Sequence, residues 1–327
     1  MGRCDDNLVC KALDDAERRG VCLVPTNEVF AQKLRRRRER FGIISPRRGL
    51  YVRQGYWEGL PEDKRAVCLL RSLAILHEKW VFSSVSAAVI YGFDVPFELL
   101  GTVYVRGGRG CRERANNYVR TRVGVSPGLF VRQGVRVVNI YEALFGCMCD
   151  APFDCAVAIV DSALHKGVDR ETMRAYLTEE CRGRQGVCRA RNILLFADGR
   201  AESGGESRAR VAMARLGFAA PELQVTIADP LDASRTYRHD YFWVLPDGSA
   251  VAAELDGKQK YRDPEMLQGR TTIRVLADER RRESHLSLYR MPIMRFSFEE
   301  SQDPAYFSRL LETFGIPRDE SQMDRVE

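Results

Sequence analysis

The sequence predicts a mixed α/β (α+β) protein. Three observations support this. Residues 203–216 carry a helical apolar pattern that Gly217 stops, and the strand-like runs PELQVTIAD, YRHDYFWVL and AVAAELDG follow at once. A Pro-Asp-Gly turn at 246–248 joins the last two runs, and a charged helix and a final strand, MPIMRFSF, come after them. Helix, three-stranded meander, helix and strand is the element order of an α/β or α+β domain. The first 60 residues differ, reading as helices followed by a β-ribbon.

In that front segment Thr26 is placed to cap a helix, with Glu28 in its first turn and Val29, Phe30 and Leu34 giving an apolar face. RRRRERFGII follows, then SPRRGLYVR, where Pro46 and Gly49 punctuate a turn between two β-prone runs. Helix, basic helix, basic β-turn is the order of a winged helix-turn-helix, whose second helix enters the major groove while the wing touches phosphates. The charge agrees. Residues 33–53 hold nine basic residues against Glu39 alone, more than the +6 net charge of the whole chain. A patch so concentrated is the footprint expected for a polyanion, with Arg35, Arg36, Arg37, Arg38, Arg40, Arg47 and Arg48 as the DNA-contacting candidates. The alternative is a solvated basic helix with no partner.

Composition bounds the rest. At 327 residues the chain has room for two domains, and its 45% hydrophobic and 29% charged content is that of a soluble globular protein. No apolar run approaches the roughly 18 residues a membrane span needs. The N-terminus, MGRCDDNLVCKALDD, lacks the apolar stretch of a signal peptide and has Asp6 where a myristoylation signal carries Ser or Thr, so a cytoplasmic location is expected. The ten cysteines include no CxxC pair and the four histidines are scattered, which favours free thiols over disulfides or zinc.

Residues 61–102 read as two helices, and 103–145 as strands in which arginines alternate with apolar residues. Helices return over 141–196. The Gly/Ser-rich stretch at 198–205 is the best candidate boundary, and the expected division of the chain is 1–60, 61–197 and 198–327.

The chemistry concentrates near that hairpin of the last third. Glu254 and Asp256 alternate onto one face of a strand, and Asp240 lies on its neighbour. Clustered carboxylates repel one another unless a cation or a proton intervenes, and hard oxygen donors are what Mg²⁺ or Mn²⁺ requires. Lys258 or Lys260 would orient an attacking water or balance phosphate charge. Glu206 opens the preceding helix as a fourth carboxylate, although Ser203-Gly-Gly-Glu206 also fits a capping box. Arg281 and Arg282, on the charged helix, are candidates for phosphate contacts. The plain alternative is a hairpin with solvated acids.

GES at 205–207, PELQ at 221–224, YRHDYFW at 237–243, AELDGKQKY at 253–261 and ERRRESHL at 279–286 together carry a resemblance. So do RRGLYV at 47–52, SSVSAAVIYGF at 83–93, RVVN at 136–139 and AIVDSALHKG at 158–167. Over nearly its whole length the chain resembles actinobacterial proteins that pair a region similar to the abortive-infection type IV antitoxins with a domain related to very-short-patch-repair endonucleases. The resemblance implies a winged helix-turn-helix at the front, an antitoxin-like middle region and a restriction-endonuclease-like core of the PD-(D/E)XK type at the back. It implies Asp240 and Glu254 as metal-holding acids; the carboxylate cluster itself adds Asp256 and Glu206 as further candidates, with Mg²⁺ or Mn²⁺ as the expected cofactor and double-stranded DNA as the expected partner. Asp256 stands where that superfamily has its lysine, leaving Lys258 or Lys260 to supply the positive charge; His239 precedes Asp240 where a proline is usual. The second reading is a non-catalytic antitoxin or repressor with a degenerate nuclease fold, partnered with a nucleotidyltransferase-like toxin.

Overall fold

The computed structural model describes residues 2–107, 118–123, 128–256 and 284–326, and there the chain is mixed helix and sheet. It divides into two compact units: Met1–Ala151 with Ala175–Val187, and Pro152–Arg174 with Cys188–Glu327. Among the described residues the cysteines are free thiols, and no helix is long and apolar enough to cross a membrane.

The first unit opens with α1 (Gly2–Arg18), followed by α2 (Glu28–Arg36) and the single turn α3 (Arg38–Phe41). Asn27, one residue beyond the expected Thr26, caps α2 by accepting the Phe30 N–H at 2.8 Å. Gly42, at φ +57°, ends α3 in the left-handed conformation that glycine adopts without steric cost. β1 (Ile43–Ile44) and β2 (Val52–Arg53) pair antiparallel, and Leu23 bridges Tyr51. Val9, Leu13, Leu34, Ile43 and Tyr51 form a small core beneath these elements.

Then come α4 (Gln54–Gly59), α5 (Glu62–Leu76) and α6 (Ser84–Tyr91), with two short strand pairs. β3 (Val103–Gly107) runs parallel to β4 (Val119–Val123), and β5 (Phe130–Arg132) antiparallel to β6 (Val135–Val137). α7 (Ile140–Asp150) packs on α6 through Gly146, where a Cβ would lie 2.8 Å from that of Ser84.

The helices of the second unit are α8 (Phe153–His165), part of α9 (Arg170–Glu179), α10 (Val187–Phe196) and α11 (Gly204–Arg215). Its sheet has the order β10-β9-β8-β7, from β7 (Glu222–Asp229), β8 (Asp232–Val244), β9 (Ala250–Asp256) and β10 (Ile293–Ser297). The meander β7-β8-β9 is antiparallel and β10 joins β9 in parallel, as expected of a connection that leaves and returns. Met213, Phe218, Tyr241, Phe296 and Phe307 are fully buried in its core. The short α12 (Phe298–Ser301), α13 (Pro304–Thr313) and α14 (Ser321–Asp324) close the chain.

The stretch 198–205, read as a domain boundary, lies inside this unit. Its glycines serve close approach instead of flexibility. A Cβ on Gly199 would sit 2.8 Å from that of Leu164, and one on Gly205 2.8 Å from Leu255 Cδ2. α8, assigned by sequence to the middle region, is bound to α11 by side chains. Arg208 Nε donates to Asp154 at 2.8 Å, and Arg210 donates to both Asp161 and the Phe196 carbonyl at 2.8 Å. Asp161 is fully buried; burial pushes its carboxyl above the usual range, and the Arg210 guanidinium opposes that shift.

Breaking a buried pair by removing one partner strands the other charge, at about 3–5 kcal/mol. Asp161→Ala is therefore expected to cost about that much in urea unfolding, whereas the double variant Asp161→Ala/Arg210→Met should regain most of it.

Candidate active site

The candidate site forms where the sheet divides. β8 and β9 pair from Val244/Ala250 to Tyr241/Ala253, and the ladder stops there although both strands continue. Beyond that point β8 stays with β7, down to Ala228/Thr236, and β9 stays with β10, up to Ser297/Asp256. The next residues on the diverging strands are Asp240 and Glu254. Asp240 bridges the fork through its side chain: Oδ2 accepts the Leu255 N–H at 2.9 Å, standing in for a lost ladder bond.

Glu254 is buried at 8% exposure and its carboxylate is held on both sides. His239 Nδ1 lies 3.1 Å from Oε1, and an Arg295 guanidinium nitrogen 3.4 Å from Oε2. The β9–β10 register sets Arg295 beside Glu254, and the same guanidinium reaches Asp256 Oδ1 at 3.8 Å. Asp256 is therefore countered by an arginine from β10. His239 is completely buried, and its position fits holding the Glu254 carboxylate in place.

Glu206 arrives from the first turn of α11. Its Oε1 accepts the Ser203 hydroxyl at 2.8 Å and its Oε2 accepts the Glu202 N–H at 2.9 Å. The expected box is thus displaced by one residue, since Glu206 serves the N–H of Glu202 instead of that of Ser203; the Ser203 hydroxyl still caps the Glu206 N–H at 3.2 Å. Gln224 joins Glu206 to the fork. Its Nε2 lies 3.1 Å from Glu206 Oε2 and 3.5 Å from Asp240 Oδ1. Gln224 has φ +57°, a left-handed conformation that costs a residue with a Cβ about 1–2 kcal/mol. Burial pushes the Glu206 carboxyl above the ordinary range, and the charge of Asp240 adds to the rise.

Glu206 and Asp240 thus share the Gln224 amide, whereas Glu254 and Asp256 share Arg295, with His239 also on Glu254. Among the described residues no three His, Cys, Asp or Glu side chains form a group that could hold a metal ion. Lys258, Lys260, Arg281 and Arg282 lie outside the described residues. Sequence reasoning missed Arg295 and Gln224. Arg295 sits 41 positions beyond Glu254 and only the parallel pairing brings them together; Gln224 stood in a motif with no charge to mark it.

The basic front is more paired than its sequence suggests. Arg37 binds Asp6 at 2.7 Å and Asp5 at 3.6 Å, and Arg40 binds Asp6 at 2.6 Å. Arg35 pairs with Glu28. Arg53 holds Asp14 and Glu17, each at 2.7 Å. Arg47 donates to the Pro46 and Gly101 carbonyls and lies over the Tyr118 ring. Arg36, Arg38 and Arg48 are exposed, with no ion pair among the described residues.

A raised Glu206 means that the folded state keeps a proton the unfolded chain has already lost, so stability falls as pH rises above the ordinary glutamate value. In metal-free buffer Glu206→Gln should lack that part of the slope. Urea unfolding of both proteins, from the ordinary glutamate value up to neutrality, reads the difference.

No family model matches the chain, and no solved structure matches it. Two uncharacterized proteins of Mycobacterium tuberculosis do, one from strain CDC 1551 / Oshkosh and one from strain ATCC 25618 / H37Rv. Each is 32% identical over 222 residues, which cover 61% of this chain and 74% of the relative. The chain belongs to the same family as these mycobacterial proteins.

Proposed function

We propose that the chain is a DNA-binding protein whose second unit carries a metal-dependent phosphodiesterase site at the β8–β9 fork, with double-stranded DNA as partner. The observation that carries this reading is that the β8–β9 ladder breaks at Asp240 and Glu254, with the buried Glu206 tied to Asp240 through one amide. Mg²⁺ and Mn²⁺ are commonly held by one or two carboxylates plus waters and phosphate oxygens. The donors fit that need: Asp240 and Glu206 offer carboxylate oxygens, and Gln224 Oε1 is buried without a hydrogen-bond partner. When bound, such an ion lowers the pKa of a water and offsets charge on a phosphodiester. The chain's own residues do the positioning: His239 and Arg295 hold Glu254, while the Leu255 N–H holds Asp240.

The order of the first unit supports DNA binding. A helix, a bridging residue, two more helices and a β-ribbon follow one another as in a winged helix-turn-helix. Arg36 at the end of α2, Arg38 at the start of α3 and Arg48 in the ribbon's turn are placed for phosphates.

A second reading is a non-catalytic repressor or antitoxin, with a nucleotidyltransferase-like toxin as its partner system. Arg295 favours it, since one guanidinium already counters both Glu254 and Asp256.

Purified protein with Mg²⁺ or Mn²⁺ is expected to nick plasmid DNA, and Asp240→Asn to abolish the nicking. Wild-type protein that binds DNA without nicking it under either cation would favour the repressor. In either case Arg36→Ala, Arg38→Ala and Arg48→Ala should each weaken DNA binding and flatten its log–log salt dependence by about 0.9 per lost contact. Arg37→Ala, which loses its pairs with Asp5 and Asp6, is expected to lower thermal stability and leave that slope in place.

A further inference from the structure

Gln224 has three features that a structural strut would not need together. Its backbone is left-handed at φ +57° although it is not glycine, in a strand whose neighbours Leu223 and Val225 keep their pairing with Tyr241 and His239. Its amide nitrogen is shared by two carboxylates, at 3.1 Å from Glu206 and 3.5 Å from Asp240. Its amide oxygen is buried with no hydrogen-bond partner, a costly arrangement for a polar atom shielded from water. Strain and an orphaned acceptor at one residue point to function.

An amide is the neutral side chain that can serve this place in two states. Without a cation its NH₂ faces the two carboxylates and relieves their repulsion. A half-turn about the terminal bond exchanges nitrogen and oxygen within nearly the same shape, and then offers a hard oxygen donor in place of a hydrogen-bond donor. Lysine or arginine would compete with the cation; leucine would serve neither state.

We propose that Gln224 is an oxygen ligand of the divalent-cation site built on Asp240 and Glu206, its amide turning over between the empty and the loaded form. This rests on the cation site of the reading above and adds to it a ligand outside the carboxylate set. It assigns to the strained residue the role of keeping two acids together while the site is empty.

The test is Mn²⁺ titration by calorimetry on the full chain, with thermal unfolding of the metal-free forms beside it. Gln224→Leu should weaken Mn²⁺ binding at least about tenfold, the lower end of what even an outer-shell metal partner is worth. Gln224→Glu keeps the oxygen and adds a charge. It should melt below the wild type when metal-free, bind Mn²⁺ at least as tightly, and gain more in melting temperature from Mn²⁺. Binding by Gln224→Leu equal to wild type would overturn the proposal. Should that variant not fold, Gln224→Glu binding Mn²⁺ more weakly than wild type overturns it instead. A wild type that binds no Mn²⁺ overturns the proposal together with the cation site beneath it. Intact, Gln224-dependent Mn²⁺ binding without plasmid nicking leaves the ligand assignment standing and removes only the catalytic reading.

Discussion

The organisation of the second unit turns on one electrostatic constraint. Acidic side chains of α11 and β8 meet at Gln224 where the sheet opens, with the acids of β9 following the same break, and like charges in a poorly solvated place repel more strongly than they would in water. Each is met by a distinct counterpart: Asp240 by the Leu255 N–H, Glu206 by a backbone N–H and a hydroxyl, Glu254 by His239 and Arg295. The fork is what makes this possible. In an uninterrupted ladder the Leu255 N–H would be committed to a backbone carbonyl, and no side-chain acceptor would be needed at that point.

The same constraint explains why the second unit begins so early in the chain. Glu206 can stand beside Asp240 only if α11 is fixed along its length, and α11 is clasped to α8 by Arg208 with Asp154 and Arg210 with Asp161. The last of these is costly to desolvate and is balanced by geometry: Arg210 also serves the Phe196 carbonyl, and Asp161 also takes the Asp198 N–H at 2.6 Å. A helix that ends 57 residues before the sheet begins thus becomes part of the support of its site.

How much of this was legible in the sequence differs by kind of signal. Local alternation and turn chemistry placed β7, β8, β9 and β10, and Asp240 and Glu254 stood out because carboxylates in paired apolar strands are chemically conspicuous. Glycine misled, because at Gly199 and Gly205 a missing Cβ permits close packing, and composition alone does not separate that use from a flexible linker. Charge misled as well. The acids of α1 lie 31 to 39 positions before the arginines they pair with, so a local count registers an excess that tertiary ion pairs at Arg37, Arg40 and Arg53 reduce. Long-range partners such as Arg295 and Glu254 depend on a strand register that no local pattern encodes.

Arg295 also bears on what the site can do. It stands beside Glu254 and Asp256 and counters both; in the proposed nuclease reading a lysine would supply that positive charge. The two cations are not equivalent. A lysine ammonium can shift its pKa when buried and exchange a proton, whereas a guanidinium stays charged throughout the working range and presents donors in a fixed plane. Arg295 is therefore suited to neutralise and orient, and unsuited to take a proton from water. If a phosphodiester is cleaved at this fork, activation of the water falls to a group other than Arg295, such as a bound cation or a carboxylate, and Arg295 governs how much negative charge Glu254 can lend to it.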